Sequence, residues 1–177
     1  MVSALYNWRL SHGFGFIMIG LFMPVQISPM PYTPIATMSD SKYRTSRCIL
    51  KSRDEFLLVV HNNIHGVNSG IWGLPGGRID WGEKPAQAAR REIYEELDTD
   101  LDELHEVGDW SYKGYRHKIY GTIFKGKIGR IDYSEILEVD WFTIEDIRDL
   151  AARDKLHAGF ELASIEQFLT LLGRKRG

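Results

Sequence analysis

The distribution of apolar and polar segments predicts a mixed α/β chain from about residue 42 onward. Two short apolar runs, Cys48–Leu50 and Phe56–His61, are separated by the polar segment KSRDE, which is the pattern of a hairpin of buried strands. A third apolar run, Ile71–Leu74, ends at Pro75 and predicts another short strand. The two glycines that follow are interpreted as the start of a polar loop.

The segment Pro85–Leu97 has a helical pattern. Proline is well tolerated in the first turn of a helix, and helix-forming residues follow it. Apolar residues then recur at spacings of three and four, which places them in one stripe that can be buried against a sheet. The stripe consists of Ala86, Ala89, Ile93 and Leu97.

Beyond this helix the pattern predicts three more strands and two more helices. The predicted strands are His105–Lys113, Lys118–Lys125 and Val139–Thr143, and the predicted helices are Ile144–Ala152 and Phe160–Leu172. The sequence contains no internal repeat or low-complexity tract. We therefore expect one α/β domain, an α/β/α sandwich with a mixed β-sheet.

The first 37 residues have a different pattern. The apolar run Gly13–Met23 is well short of the ~20 residues that span a bilayer, so no membrane association is expected. Prolines including Pro24 and Pro34 then interrupt any regular element. We expect residues 1–37 to form an appendage and residues 38–177, from Met38, to form the compact domain. The sequence leaves three explanations of residues 1–37: a signal segment, an appendage, or extra residues that result from a start codon upstream of Met38.

Composition narrows the class of protein. A chain of 177 residues with 44% hydrophobic and 26% charged residues fits one globular domain. A net charge of -2 argues against a protein that coats nucleic acid, so no stable nucleic-acid complex is expected. The single cysteine, Cys48, excludes an intrachain disulfide and a cysteine zinc cluster. It is compatible with a reducing compartment, and we predict a cytoplasmic protein.

Candidate chemistry lies on the predicted helix. Glu92, Glu95 and Glu96 share one of its faces at ~100° per residue. Like charges at this spacing repel, and a hard divalent cation such as Mg²⁺, or Mn²⁺, would reverse that repulsion. By itself the cluster is better explained as an ordinary solvated acidic face, because glutamate is a favoured helix former.

The context of these glutamates resembles a known family signature. From Gly77, the spacing G-x5-E-x7-REIYEE resembles the Nudix box, which covers 23 residues from Gly77 to Thr99. The order of predicted elements from about Cys48 to Leu172 is similar to the α/β/α sandwich of the Nudix hydrolases. The chain departs from the box at Asp98 and Thr99, where the family usually has glycine and an aliphatic residue. That glycine ends the helix in a left-handed conformation, which aspartate tolerates better than most residues do.

The resemblance implies a metal-dependent enzyme that cleaves the pyrophosphate bond of a nucleoside diphosphate linked to another group. The expected partner is a small nucleotide: a nucleoside or deoxynucleoside triphosphate, a nucleotide sugar or an ADP-ribose type substrate. A nucleotide-binding or regulatory module without turnover, or a family isomerase, is the alternative. The intact set of three glutamates favours turnover, since their mutual repulsion costs stability when no metal is bound. A homodimer is left open.

The resemblance also implies a role for individual residues. Arg91 would orient the acidic cluster, and Gly77 would let the loop pass close to the helix. Glu135 would be the general base or an extra ligand, with Glu138 as its rival. The metal ligands would be Glu92, Glu95 and Glu96, with Glu83 as an additional or water-bridged ligand.

Other motifs compete less well. Arg78 and Arg116 are candidate phosphate contacts, with a solvated cation as the alternative for each. A P-loop is rejected because Glu83 stands where its lysine would be. The six histidines form no H-E-x-x-H motif, so a zinc hydrolase has little support.

Overall fold

The computed structural model describes residues 42–62 and 70–174. The predicted appendage, residues 1–37, lies outside these residues, so the domain boundary at Met38 stays a prediction. The described elements, in chain order, are β1 (Thr45–Ser52), β2 (Glu55–His61), β3 (Gly76–Arg78), α1 (Pro85–Leu97), β4 (His105–Tyr112), β5 (Tyr115–Ile123), β6 (Ile136–Thr143), α2 (Ile144–Ala152) and α3 (Glu161–Arg174).

The strands form one mixed sheet in the order β4-β5-β1-β2-β6, with β3 paired to β1. Strands β1 and β5 are parallel, whereas the other pairs are antiparallel. The predicted hairpin of β1 and β2 is confirmed by the register Lys51↔Phe56. Near the start of β1, the segment that contains Gly73 and Pro75 lies between β1 and β2. Gly73 exchanges backbone hydrogen bonds with Val59 of β2, and the Pro75 carbonyl accepts the Cys48 N–H of β1. The two glycines are thereby placed between the central strands.

Alternate residues of the central strands face two cores, one on each side of the sheet. Cys48 and Leu50 of β1 pack with the apolar stripe of α1. Ile49, between them, packs with Ile147 of α2 and Phe168 of α3. Because residues alternate faces along a strand, one apolar run supplies both layers. The predicted α/β/α sandwich is confirmed.

Helices α1 and α2 have the bounds predicted from their patterns. Helix α1 ends at Asp98, which has φ 47° and ψ 50° and donates its N–H to Tyr94 at 2.9 Å. This is the left-handed conformation expected at that position. Neither these helices nor α3 is long and apolar enough to cross a membrane, among the residues described.

One predicted strand is wrong. Ile71–Leu74 forms only isolated bridges, Val59↔Gly73 and Trp72↔Leu156, and the third strand is Gly76–Arg78. Glycine has a low strand propensity, so the local pattern indicated a loop there. Pairing with β1 decides the conformation instead, since Thr45 lies opposite Arg78 and Arg47 opposite Gly76. Two other strands, β5 and β6, each begin three residues earlier than predicted.

Candidate active site

A cleft of about 480 Å³ opens where β3, α1 and the segment before β6 meet. Helix α1 presents one face to it, and β3 lies against that face, since Gly76 bonds Glu96 and Gly77 approaches Glu92. The cleft is lined by Arg47, His61, Asn62, Gly76, Gly77, Arg78, Arg91, Glu92, Glu95, Glu96, Ser134, Glu135 and His157. A separate hollow at the carboxyl end of α1 shares only Glu95 with it.

Three carboxylates converge in the cleft. One oxygen from each of Glu92, Glu96 and Glu135 lies within 4.8 Å of the others. Glu92 and Glu96 are buried, whereas Glu135 is exposed. Burial raises the pKa of Glu92, as does repulsion from Glu96, while Arg91 opposes the shift. This set of converging, mutually repelling oxygen ligands fits a hard divalent cation.

Glu96 is held from two sides. Its Oε2 accepts a hydrogen bond from the Gly76 N–H at 2.7 Å, and its Oε1 lies 3.2 Å from His61 Nε2. Gly76 has φ +119°, a conformation that other residues rarely adopt. A Cβ on Gly77 would overlap the Glu92 carboxylate, so the predicted close passage of this loop past the helix is confirmed.

Arg91 organises the outer side of the cluster. Its Nη1 donates to Glu92 and to Glu95, each at 2.8 Å, and its Nη2 donates to the Arg78 carbonyl at 2.9 Å. Nε and Nη2 also bind the two oxygens of Glu83, each at 3.0 Å. These bonds raise the pKa of Arg91 and hold the pKa of Glu83 below its usual range. Such a position is the one that an orienting role requires.

The structure places the other predicted residues differently. Glu83 uses both oxygens on Arg91 and is not among the residues that line the cleft. Glu138 lies on β6, opposite Val60 of β2, and is not part of the carboxylate cluster. This position favours Glu135 over Glu138 as the general base or extra ligand. Arg116 is bonded to Asp109 and does not line the cleft, whereas Arg78 does.

Sequence reasoning missed Arg47, His61 and His157. Arg47 Nη1 donates to the Leu74 carbonyl at 3.2 Å, to the Gly76 carbonyl, and lies 2.7 Å from His61 Nε2. Arg47 lies on the same face of β1 as the buried Ile49, so a charge at a core-facing position was the available signal. His157 lies in the connection between α2 and α3, where no local sequence pattern marked it as a site residue.

The family model for the NUDIX domain matches residues 42–161. The chain belongs to the NUDIX family. The match confirms the resemblance seen at Gly77–Thr99 and, together with the relatives below, the expectation of a pyrophosphohydrolase-type enzyme.

Similar curated proteins include two called RNA pyrophosphohydrolase. That of Rhodopseudomonas palustris (strain BisB18) is 27% identical over 140 residues, covering 63% of this chain and 80% of the relative. That of Bradyrhizobium sp. (strain ORS 278) is 30% identical over 114 residues, covering 52% and 68%.

Solved NUDIX structures share the fold. The NUDIX domain of Shewanella oneidensis NrtR, solved with ADP ribose, gives a TM-score of 0.60 at 23% identity, over 73% of this chain and 88% of that one. A mutT/nudix protein from Listeria innocua gives 0.57 at 19% identity, over 74% and 94%.

Proposed function

We propose that this NUDIX protein hydrolyses a pyrophosphate bond of a nucleotide in a reaction that requires Mg²⁺ or Mn²⁺. The observation that supports it is the convergence of Glu92, Glu96 and Glu135 in a cleft beside the glycine segment. Pyrophosphate has two or more negative charges, which such a cluster would repel unless a cation lay between them. A bound divalent cation would neutralise this charge and polarise the bond to be broken.

In this proposal Glu92, Glu95 and Glu96 hold the cation, and Arg91 keeps Glu92 and Glu95 in place. Because both oxygens of Glu83 bond Arg91 and Glu83 does not line the cleft, this residue acts through Arg91 rather than as a direct ligand. Glu135 is the general base or an extra ligand. Burial and repulsion from Glu96 raise its pKa, which makes the carboxylate more basic than an ordinary glutamate.

Arg78 is the proposed phosphate contact. Its side chain is exposed on the cleft, and no bond of its guanidinium to the described residues is found. A planar guanidinium with free N–H groups binds phosphate oxygens well. Arg116 would first have to leave Asp109, which it neutralises together with Lys118.

Two substrate classes are proposed. The first is a small nucleotide: a nucleoside or deoxynucleoside triphosphate, a nucleotide sugar or an ADP-ribose type molecule. The second is the 5′-triphosphate end of an RNA chain, which is favoured by the relatives named RNA pyrophosphohydrolase. Either substrate would bind with its pyrophosphate group in the same cleft, so the same acidic residues would hold the cation in both cases.

A substrate panel with Mg²⁺ tests the proposal. It contains nucleoside and deoxynucleoside triphosphates, ADP-ribose, a nucleotide sugar and a 5′-triphosphorylated RNA oligonucleotide, with released phosphate, pyrophosphate and monophosphate measured. We expect turnover that disappears with a chelator. Glu135→Gln should reduce it strongly, and the control Glu138→Gln, an exposed glutamate three residues away, should not. Nucleotide binding without turnover of any panel member would instead support a binding module.

A further inference from the structure

Glu161, the first residue of α3, is a buried carboxylate with an unused oxygen. The residue is only 2% exposed. Its Oε1 accepts the Ala158 N–H at 2.9 Å, whereas its Oε2 is buried and has no hydrogen-bond partner among the described residues. Leaving a buried acceptor without a donor is costly, and more so for a carboxylate. A group that donates a hydrogen bond to Oε2 would remove this cost.

Glu161 is one of the residues that line a small cavity, which adjoins the acidic cleft. Arg47 and His157 line both spaces, so the two are neighbours. The wall is fixed by backbone bonds of 2.8 Å that tie Trp72 to Lys155 and to His157. The remaining lining residues are Leu74, Tyr112, His117, Ala158 and Phe160.

The size and polarity of the cavity restrict its occupant. Its volume of about 20 Å³ accommodates one water-sized group, so an aromatic base is too large for it. A phosphate group is also disfavoured, because it would meet the Glu161 carboxylate. A hydroxyl group has the size of a water molecule and can both donate and accept hydrogen bonds.

We propose that a ribose hydroxyl of the substrate enters this cavity and donates a hydrogen bond to Oε2 of Glu161. The protein would then prefer ribonucleotides to deoxyribonucleotides. The proposal rests on the nucleotide substrate assigned above, and it narrows that substrate class. The ribose of a nucleotide directly follows its phosphates, and this cavity directly adjoins the cleft that would hold those phosphates.

The charge state of Glu161 is compatible with this partner. Burial raises the pKa of Glu161, although the backbone N–H groups of the turn and Arg47 act in the opposite direction. The same environment lowers the pKa of His157 to about 4, so that imidazole is neutral at physiological pH. A hydroxyl can pair with the carboxylate or with its protonated form, and a neutral histidine beside it can donate or accept.

Paired substrates test the inference. We would measure kcat/KM for ATP and GTP and for their 2′-deoxy and 3′-deoxy forms, in the wild type, Glu161→Gln and Glu161→Ala. The wild type should prefer the ribonucleotide by about tenfold or more, because sites that bond a substrate hydroxyl reject analogues that lack it. In Glu161→Ala this preference should fall to within about threefold of unity, with Glu161→Gln between the two. The deoxy form that is disfavoured identifies the hydroxyl.

The control is Glu166→Gln, an exposed glutamate on the same helix that pairs with Arg148. It should leave the preference unchanged. Calorimetric binding of ADP and its two deoxy forms supplies a readout that needs no turnover. If turnover is absent while ADP still outcompetes its deoxy forms in a Glu161-dependent way, the proposed hydrolysis fails and the ribose site stands. A preference near unity in the wild type, or one that persists in Glu161→Ala, would mean that only water occupies the cavity and overturns the inference. If ADP does not bind, the ribose site fails, whereas the proposed hydrolysis is judged separately by turnover of the substrate panel.

Discussion

Arg91 and Gly76 hold the acidic residues of the site in different ways. Arg91 pairs with Glu92 and Glu95 from the solvent side, where its own side chain is 28% exposed. Gly76 holds Glu96 through a backbone N–H, in a position where that carboxylate is 1% exposed. Loss of the whole carboxylate group should therefore affect folding more at Glu96 than at Glu95, although both residues are proposed metal ligands.

Glu95→Gln and Glu96→Gln should each lower turnover by orders of magnitude and weaken Mg²⁺ binding, because both remove charge that the cation needs. Neither should lower metal-free stability much, since a glutamine at 96 still accepts from Gly76. Glu96→Ala leaves that N–H unpaired and should cost about 1–3 kcal/mol of unfolding free energy. Magnesium-dependent turnover and thermal melting with and without Mg²⁺ check all three. Near-normal turnover in both glutamine variants would disprove the site.

Glu161 gives a pH dependence with a definite sign. Its pKa is raised in the folded protein, so folding favours the protonated form. Stability from this group is therefore full below the unfolded pKa of ~4.3 and is lost as pH rises through the folded value. Glu161→Gln lacks this loss. The difference in Tm between variant and wild type should shift in favour of the variant from about pH 4 upward. His157, whose pKa is lowered to about 4, is present in both proteins, so its effect cancels in the Tm difference. A shift of opposite sign would therefore contradict the raised pKa of Glu161.

At the scale of elements, helix α1 positions the glutamates of the site, and the residues at its two ends determine its length. Pro85 begins the helix, and the Lys84 N–H is bonded by Gln87 at 3.0 Å. At the other end Asp98 adopts the left-handed conformation that closes the helix. The Leu97 carbonyl accepts the Gly129 N–H at 2.9 Å, from the segment between β5 and β6.

Asp98→Gly should stabilise the protein by some tenths of a kcal/mol and retain turnover, since glycine adopts this conformation without a steric penalty. Asp98→Val should destabilise it by about 1–2 kcal/mol, because a β-branched residue is strained at positive φ. Urea unfolding of both variants measures the difference. Equal stabilities for glycine and valine would show that the φ of 47° does not govern this helix end.

At the scale of the whole molecule, β1 lies near the centre of the sheet and contacts both cores. It pairs with β5 in parallel and with β2 and β3 in antiparallel fashion. The described part of the chain contains the acidic cluster, the cleft and both cores. Among the described residues, those that line the cleft begin at Arg47.

A chain that begins at Met38 should therefore fold cooperatively and retain hydrolysis. The physical reason is that the residues proposed for catalysis and both layers of the sandwich lie after this position. Melting temperature and specific activity, compared with the full chain, are the measurements. Loss of the cooperative transition would show that residues 1–37, including the apolar run Gly13–Met23, belong to the core or to an interface between subunits.

The sequence by itself determined the helices α1 and α2, most strands and the family. These features depend on local periodicity, helix-end residues and the fixed spacing of Gly77, Glu83 and Arg91–Glu96, which are all written along the chain. It also determined that Asp98 would replace the usual glycine at the helix end.

Only the tertiary structure decided which side chains meet across the fold. Strand β3 exists because β1 offers a partner to a glycine segment of low strand propensity. Glu135 joins Glu92 and Glu96, and Glu161 comes close to Arg47, although each pair is far apart in sequence. Local propensity contains no information on such contacts, because they arise from packing whole elements against one sheet. The buried oxygen of Glu161, and so the proposed ribose site, belongs to this second class.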